Sequence, residues 1–238
     1  AARYRGEVWI KKGVYEIKNS IELKSNVRII GGFIGNETSA DAADPVRNVT
    51  VITGDKNRDN YYKINNSTNG GLVFDYEKMV FNEPKPANRT TYWAATGANS
   101  DDVDQAFYGS SITTNCVLEG VTIVGFGRVA ISSGDNVALK MIKCRMIGNN
   151  SKYQSSYTTG GMVVYGLIHA EDCDFLAMHT PLALLQPTTA TYMTNILRRC
   201  RFRYTYGSGS GSGGGFIVDT GKRDLILDGC EFSDSYIW

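Results

Sequence analysis

The chain has 238 residues with 42% apolar and 11% aromatic content, enough to bury a sizeable core in one large β domain. Lys+Arg at 25 against Asp+Glu at 24 leaves a net charge of +1, so bulk charge points neither to nucleic acid nor to a charged membrane surface. No run nears the ~18 apolar residues a transmembrane helix needs, no signal peptide is visible, and 26 Gly with 14 Tyr favour short strands and turns over helices.

The N-terminal third alternates apolar and polar residues with a period of two. "GEVWIKKGVYEI", "NSIELKSNVRIIGGFIGNETS" and "RNVTVITGDKNRDN" are therefore expected to form strands. Within residues 7–55, Trp9, Gly13, Tyr15, Leu23, Lys24, Ser25, Gly31, Gly32, Phe33, Gly35, Glu37, Thr38, Gly54 and Asp55 form a pattern that resembles the opening coils of bacterial right-handed parallel β-helix repeat proteins. These are surface or secreted proteins related in architecture to pectate lyases and to chlamydial polymorphic outer-membrane proteins. The resemblance implies an all-β, right-handed parallel β-helix (a β-solenoid), located extracellularly or at the cell surface. It implies fold far more than activity, because many such proteins have no known activity. Such proteins usually carry a segment ahead of the "VWV" strand that covers the end of the helix. Here the sequence reaches that strand almost at once, so Val8 and Trp9 are expected at an open end.

"GDKNRDN" places Asp55, Asn57 and Asp59 at every second position, like the first half of a calcium loop. Asn60 stands where an EF-hand needs Gly and Asn66 where it needs Glu, so only a generic calcium site is expected there. Asp101, Asp102 and Asp104 form a second acidic cluster, and calcium is the one candidate cofactor. From about 77 to 110 the periodicity breaks down. This irregular insertion carries Tyr92, Trp93 and Phe107. It reads either as a loop packed on the outer wall or as a binding lid with aromatic stacking platforms for a glycan or a partner.

Beyond residue 115 one phrase recurs. "VLEGVTI", "LKMIKCRM", "IHAEDCDF", "NILRRCRF" and "LILDGCEF" align Val121, Cys144, Cys173, Cys200 and Cys230, at separations of 23, 29, 27 and 30 residues. A second β-rich run, "RVAIS", "GMVVY", "PLALL" or "GFIVD", accompanies each Cys-containing copy. A repeat of strand, loop, strand, two-residue corner, strand, with a period in the twenties, is a solenoid signature. The five aligned positions are expected to stack inward as a structural ladder, with Cys116 inward on the neighbouring strand. No CxxC pair exists and only His169 and His179 are present as partners, so zinc is disfavoured. In-register Cβ atoms ~4.8 Å apart exceed the ~3.8 Å of a disulfide, so free thiols acting as small hydrophobes are expected.

The charges flanking these phrases alternate in sign. Lys140, Lys143 and Arg145 are followed by Glu171, Asp172 and Asp174, then by Arg198, Arg199, Arg201 and Arg203, then by Asp228 and Glu231. Cross-strand pairing on the outer wall is the structural reading; a lyase groove in which a basic residue abstracts a proton is the catalytic one. Neither His sits in a triad pattern, and His169 is expected to face outward. The Gly/Ser run at 206–215 reads as a flexible loop. Six Asn-x-Ser/Thr sequons, at Asn36, Asn48, Asn65, Asn66, Asn88 and Asn149, matter only in a glycosylating pathway.

Together these features specify a single domain over 1–238, a β-helix of about seven or eight coils. The expected function is structural: an adhesin, stalk or fibre subunit, associating with copies of itself or with other surface proteins through its ends. The apolar Tyr236, Ile237 and Trp238 would contribute to one of those ends. The alternative is a carbohydrate-active protein, either a polysaccharide lyase or glycoside hydrolase or a glycan-binding module.

Overall fold

The structure is a computed structural model. It describes residues 6–58, 61–64, 68–83, 93–96, 103–109, 116–127, 130–134, 137–148, 161–178, 180–185, 194–207, 217–219, 224–234 and 236–237. These residues are almost entirely β, with no α-helix and a single 3-10 turn at Ala40–Ala42.

Three long parallel sheets dominate. Sheet 1 is built from seven strands: Gly6–Lys11, Val27–Phe33, Cys116–Glu119, Ala138–Ile142, Leu167–Glu171, Thr194–Arg198 and Asp224–Asp228. Sheet 2 also has seven: Gly13–Glu16, Thr50–Thr53, Val121–Val124, Arg145–Ile147, Asp174–Leu176, Arg201–Arg203 and Glu231–Ser233. Sheet 3 has six: Ile21–Glu22, Phe107–Gly109, Ile131–Ser133, Met162–Val164, Leu182–Leu184 and Ile217–Asp219. The chain visits sheets 1, 2 and 3 in that order and then returns to sheet 1 one strand further on. Each strand therefore pairs with its counterparts in the preceding and following repeats.

The alternation in sequence decides which side chains meet. In sheet 1, Leu139 and Met141 turn inward while Lys140 is exposed; one repeat later Ile168 and Ala170 turn inward while His169 is exposed. Sheet 2 adds Cys144, Met146, Cys173, Phe175, Cys200 and Phe202, and sheet 3 adds Ile131, Met162, Val164, Leu182 and Leu184, to one shared apolar core. Each such side chain removed from water contributes about 1.5–3 kcal/mol before entropy is counted. Phe175, Phe202 and Phe232 stack face to face, with centroids 4.5 and 4.9 Å apart, because in-register strands bring like residues together at one strand spacing.

The corner between sheets 1 and 2 explains the repeated phrase. Gly120, Lys143, Asp172, Arg199 and Gly229 all adopt φ between 49° and 63°, in equivalent positions of successive repeats. The chain turns there within a residue or two, and a left-handed residue accomplishes so tight a bend. A second left-handed series, Gly125, Gly148, Ala177, Tyr204 and Asp234, closes the last five sheet 2 strands at the same separations of 23, 29, 27 and 30 residues.

Among the described residues, two segments leave the repeat. Residues 34–49 bulge out between Val27–Phe33 and Thr50–Thr53. A longer excursion departs after Thr53 and rejoins at Phe107, so it begins well before the expected residue 77. It includes an antiparallel sheet of Tyr61–Ile64, Thr68–Leu72 and Trp93–Thr96, then a small hairpin pairing Phe74–Asp75 with Val80–Phe81. Alternation alone could not separate these strands from those of the repeat. The hairpin lies on the outer face of sheet 2. Val73, Phe74 and Tyr76 pack there against Val51, Val124, Ile147 and Leu176, and Phe81 reaches Tyr204 in the sixth repeat.

Candidate functional site

The thiols occupy the corner next to the left-handed residue. Cys144, Cys173 and Cys200 are buried, Cys230 is half-buried, and all five cysteines are free. Register places Cys144, Cys173, Cys200 and Cys230 over one another, each directly preceding paired residues of sheet 2. Backbone bonds confirm the alignment: the amides of Asp174, Arg201 and Glu231 donate to the carbonyls of Cys144, Cys173 and Cys200 at 2.8–2.9 Å. The Sγ atoms of Cys144, Cys173 and Cys200 each lie 3.4 Å from the carbonyl two residues earlier, and the Cys144 thiol has a shorter acceptor in the Leu118 carbonyl at 3.2 Å. Burial pushes the Cys116 thiol up to about 11. It also pushes Cys173 well above the usual thiol range, so both stay protonated at neutral pH. Val121 fills the same inward place one repeat before Cys144 and is fully buried.

Outside the corner, the charges pair across repeats. The Arg199 guanidinium donates to Asp172 at 2.7 and 3.0 Å and to Glu171 at 2.5 Å. Arg201 grips Asp174 through two bonds of 2.6 and 2.7 Å, while Arg145 approaches the same carboxylate from the other side at 3.7 Å. Arg198 reaches Asp228 at 3.5 Å, and Arg28 bridges Glu7 and Glu119. This wall of alternating sign is occupied by internal ion pairs.

The first and last described repeats present apolar side chains outward along the stack. Val8 and Tyr15 at one end are 49% and 40% exposed although they occupy core-facing register positions. Trp9 faces outward and stacks on Phe33 at 4.9 Å. At the other end Leu227 and Phe232 are 46% and 37% exposed, while their counterparts Leu197 and Phe202 are fully covered. Tyr236–Ile237 pairs in parallel with Tyr206–Gly207; Trp238 lies outside the described residues.

The aromatic residues expected to stack on a ligand do not form one described surface. Trp93 lies in the antiparallel sheet of the excursion, Tyr92 lies outside the described residues, and Phe107 is fully buried in the shared core. Phe107 belongs to the core because sheet 3 resumes at that residue, pairing it with Ile21 and Ile131. Of the calcium candidates, Asp59, Asp101 and Asp102 lie outside the described residues and Asp104 is exposed. Asn57 follows in the loop after sheet 2. Asp55 is fully buried and accepts a hydrogen bond from the Tyr76 hydroxyl at 2.9 Å, which ties the outer hairpin to the end of a sheet 2 strand. Among the described residues no three His, Cys, Asp or Glu side chains converge on a metal position.

Sequence patterning did not reveal a groove of about 230 Å³ on the outer side of sheet 1, lined by Val117, Ala138, Lys140, Leu167 and His169. Lys140 and His169 are register partners on adjacent strands, so the groove combines two basic groups with an apolar floor. Partial burial, then the charges of Lys140 and Arg198, hold the His169 imidazole below its ordinary pKa. The signal was present in the outward position shared by Lys140, His169 and Ile196, but only the register made it a site. Comparison with known proteins finds no matching family model, no matching curated protein and no matching solved structure.

Proposed function

We propose that the three sheets are the walls of a right-handed parallel β-helix of seven repeats, as the sequence resemblance implies. In this proposal the helix serves as a structural module, an adhesin, stalk or fibre subunit, outside the cell or on its surface. The observation that carries this reading is register. Thiols, phenylalanines and left-handed corners recur at the same positions repeat after repeat, and a protein built this way extends along one axis with each repeat touching only its neighbours. Val8, Tyr15, Leu227 and Phe232, exposed at the first and last described layers, are suited to cover by a further β layer. Negative-stain electron microscopy combined with sedimentation tests this. Rods or end-joined filaments whose length grows with concentration support it; compact particles that stay monomeric at every concentration contradict it.

A second reading has one observation in its favour. The groove joins the Lys140 ammonium and the His169 imidazole, a hydrogen-bonding group, to an apolar floor, which suits an acidic sugar. Incubation with a panel of polyuronates, followed by absorbance of the unsaturated product and by calorimetry, tests it. Turnover makes the protein a lyase; heat of binding without turnover makes it a glycan-binding module.

A further inference from the structure

The thiol ladder is a chemical feature in its own right. Four sulfurs, from Cys144, Cys173, Cys200 and Cys230, stand one per repeat along the same corner. The Sγ atoms of Cys144, Cys173 and Cys200 each lie 3.4 Å from the carbonyl two residues earlier, so successive sulfurs share one orientation at one strand spacing. All are reduced, and the backbone that carries them is fixed by the neighbouring left-handed residues Lys143, Asp172, Arg199 and Gly229. The ladder opens outward only at Cys230, which is half-buried.

Geometry restricts what such a row can hold. Zinc requires about four ligands arranged tetrahedrally, and among the described residues no three ligating side chains converge. A row of sulfurs offers them in pairs. Two metal–sulfur bonds of roughly 2.3 Å laid end to end span about 4.6 Å, close to the ~4.8 Å between neighbouring strands. The ladder therefore fits a soft ion that takes two opposed thiolates. Burial adds a second restriction. When a divalent ion displaces one proton from each of two thiols, the product is neutral. A monovalent ion doing the same would leave a net negative charge in an apolar interior, which is strongly disfavoured.

We propose that the Cys144–Cys173–Cys200–Cys230 ladder is a binding site for soft divalent metal ions of the mercuric class, two ions per ladder, each bridging two successive thiols. Each ion forms two metal–sulfur bonds, breaks two S–H bonds and releases two protons to solvent; no electron is transferred. The ions enter from the Cys230 end.

Native mass spectrometry of the intact chain tests this, after exposure to Hg²⁺ in excess small monothiol so that isolated cysteines do not compete. The wild-type chain should retain two ions, each adding the mass of the metal less two protons. Cys116→Ser should also retain two, since Cys116 stands outside the ladder. Cys200→Ser should retain one. Cys230→Ser, at a half-buried position, should retain one as well, with circular dichroism confirming that it is folded. Ag⁺ under the same conditions should not be retained. No ion on the wild type, two on folded Cys230→Ser, or fewer than two on Cys116→Ser would each overturn the proposal. Silver retained at the mercuric stoichiometry would overturn its divalent selectivity.

Discussion

At the corner between sheets 1 and 2, Lys143, Asp172 and Arg199 hold a left-handed backbone that Gly120 and Gly229 reach without a Cβ. An L-residue incurs about 1–2 kcal/mol there. Asp172 and Arg199 offset that cost by pairing with each other across one repeat. Lys143 has no ion pair among those of the described residues. Lys143→Gly is therefore expected to raise stability by about 0.5–1 kcal/mol, read as a higher denaturant midpoint. The opposite outcome is expected one strand onward. Asp174 is almost buried, and Arg201→Ala removes its two short bonds, leaving Arg145 at 3.7 Å. A loss of about 1.5–3 kcal/mol follows from breaking a charge-assisted pair around a buried carboxylate. Acid should act on the same wall. The Arg199 guanidinium holds the Asp172 carboxyl below its usual value, and the amide of Ile34 does the same for Glu37. Folding thus favours the ionised carboxylates. Their contribution is complete above the unfolded pKa values of about 4 and is lost as pH falls through the lower folded ones. The melting temperature should stay level from neutral pH down to about 5 and then fall, less steeply in Arg199→Ala. The sequence carried the alternation of sign, since charges at fixed offsets from each Cys were visible. It did not show that Asp174 lies between two arginines, because that depends on register.

The elements themselves were legible where they repeat. A thiol between a polar corner and a large apolar residue recurs because each repeat meets the same tight inward space, and the Cys144, Cys173, Cys200 and Cys230 phrases mark consecutive strands of sheet 2. The paired runs around Ile131, Met162, Leu182 and Ile217 mark sheet 3. Where the chain leaves the repeat, local pattern fails. Tyr61–Ile64 and Thr68–Leu72 are strands in an antiparallel sheet outside the three parallel ones, and Phe107 looks like an insertion aromatic until its pairing with Ile131 is known. The outer hairpin is held by Tyr76, whose hydroxyl bonds Asp55 at 2.9 Å and Thr53 at 3.1 Å, both buried. Tyr76→Phe removes those bonds while keeping the ring. It should cost about 1–3 kcal/mol and increase hydrogen exchange selectively over residues 73–82, with sheets 1 and 3 unchanged. Uniform loss of protection across all three sheets would show that the hairpin is integral to the stack and not laid upon it.

For the whole molecule, the account stands or falls on one relation: distance along the stack rises by one strand spacing per repeat, whatever the separation in sequence. The excursion between Thr53 and Phe107 and the shorter bulge before Thr50 change how many residues lie between neighbouring strands without changing that spacing. Stability in such a stack is a sum of repeats and their interfaces, so damage at Phe202, packed between Phe175 and Phe232, should spread to both neighbours. The most direct test is dipolar electron resonance between spin labels on the outward row of sheet 1, with one label replacing Glu7 and the second replacing Lys140, His169 or Ile226 in turn. These positions lie three, four and six strands from Glu7 in register. Backbone separations of about 14, 19 and 29 Å, rising linearly with strand count, are the predicted result. Separations that fail to rise with strand number, or a Glu7–Ile226 distance shorter than Glu7–His169, would contradict the stacked parallel arrangement.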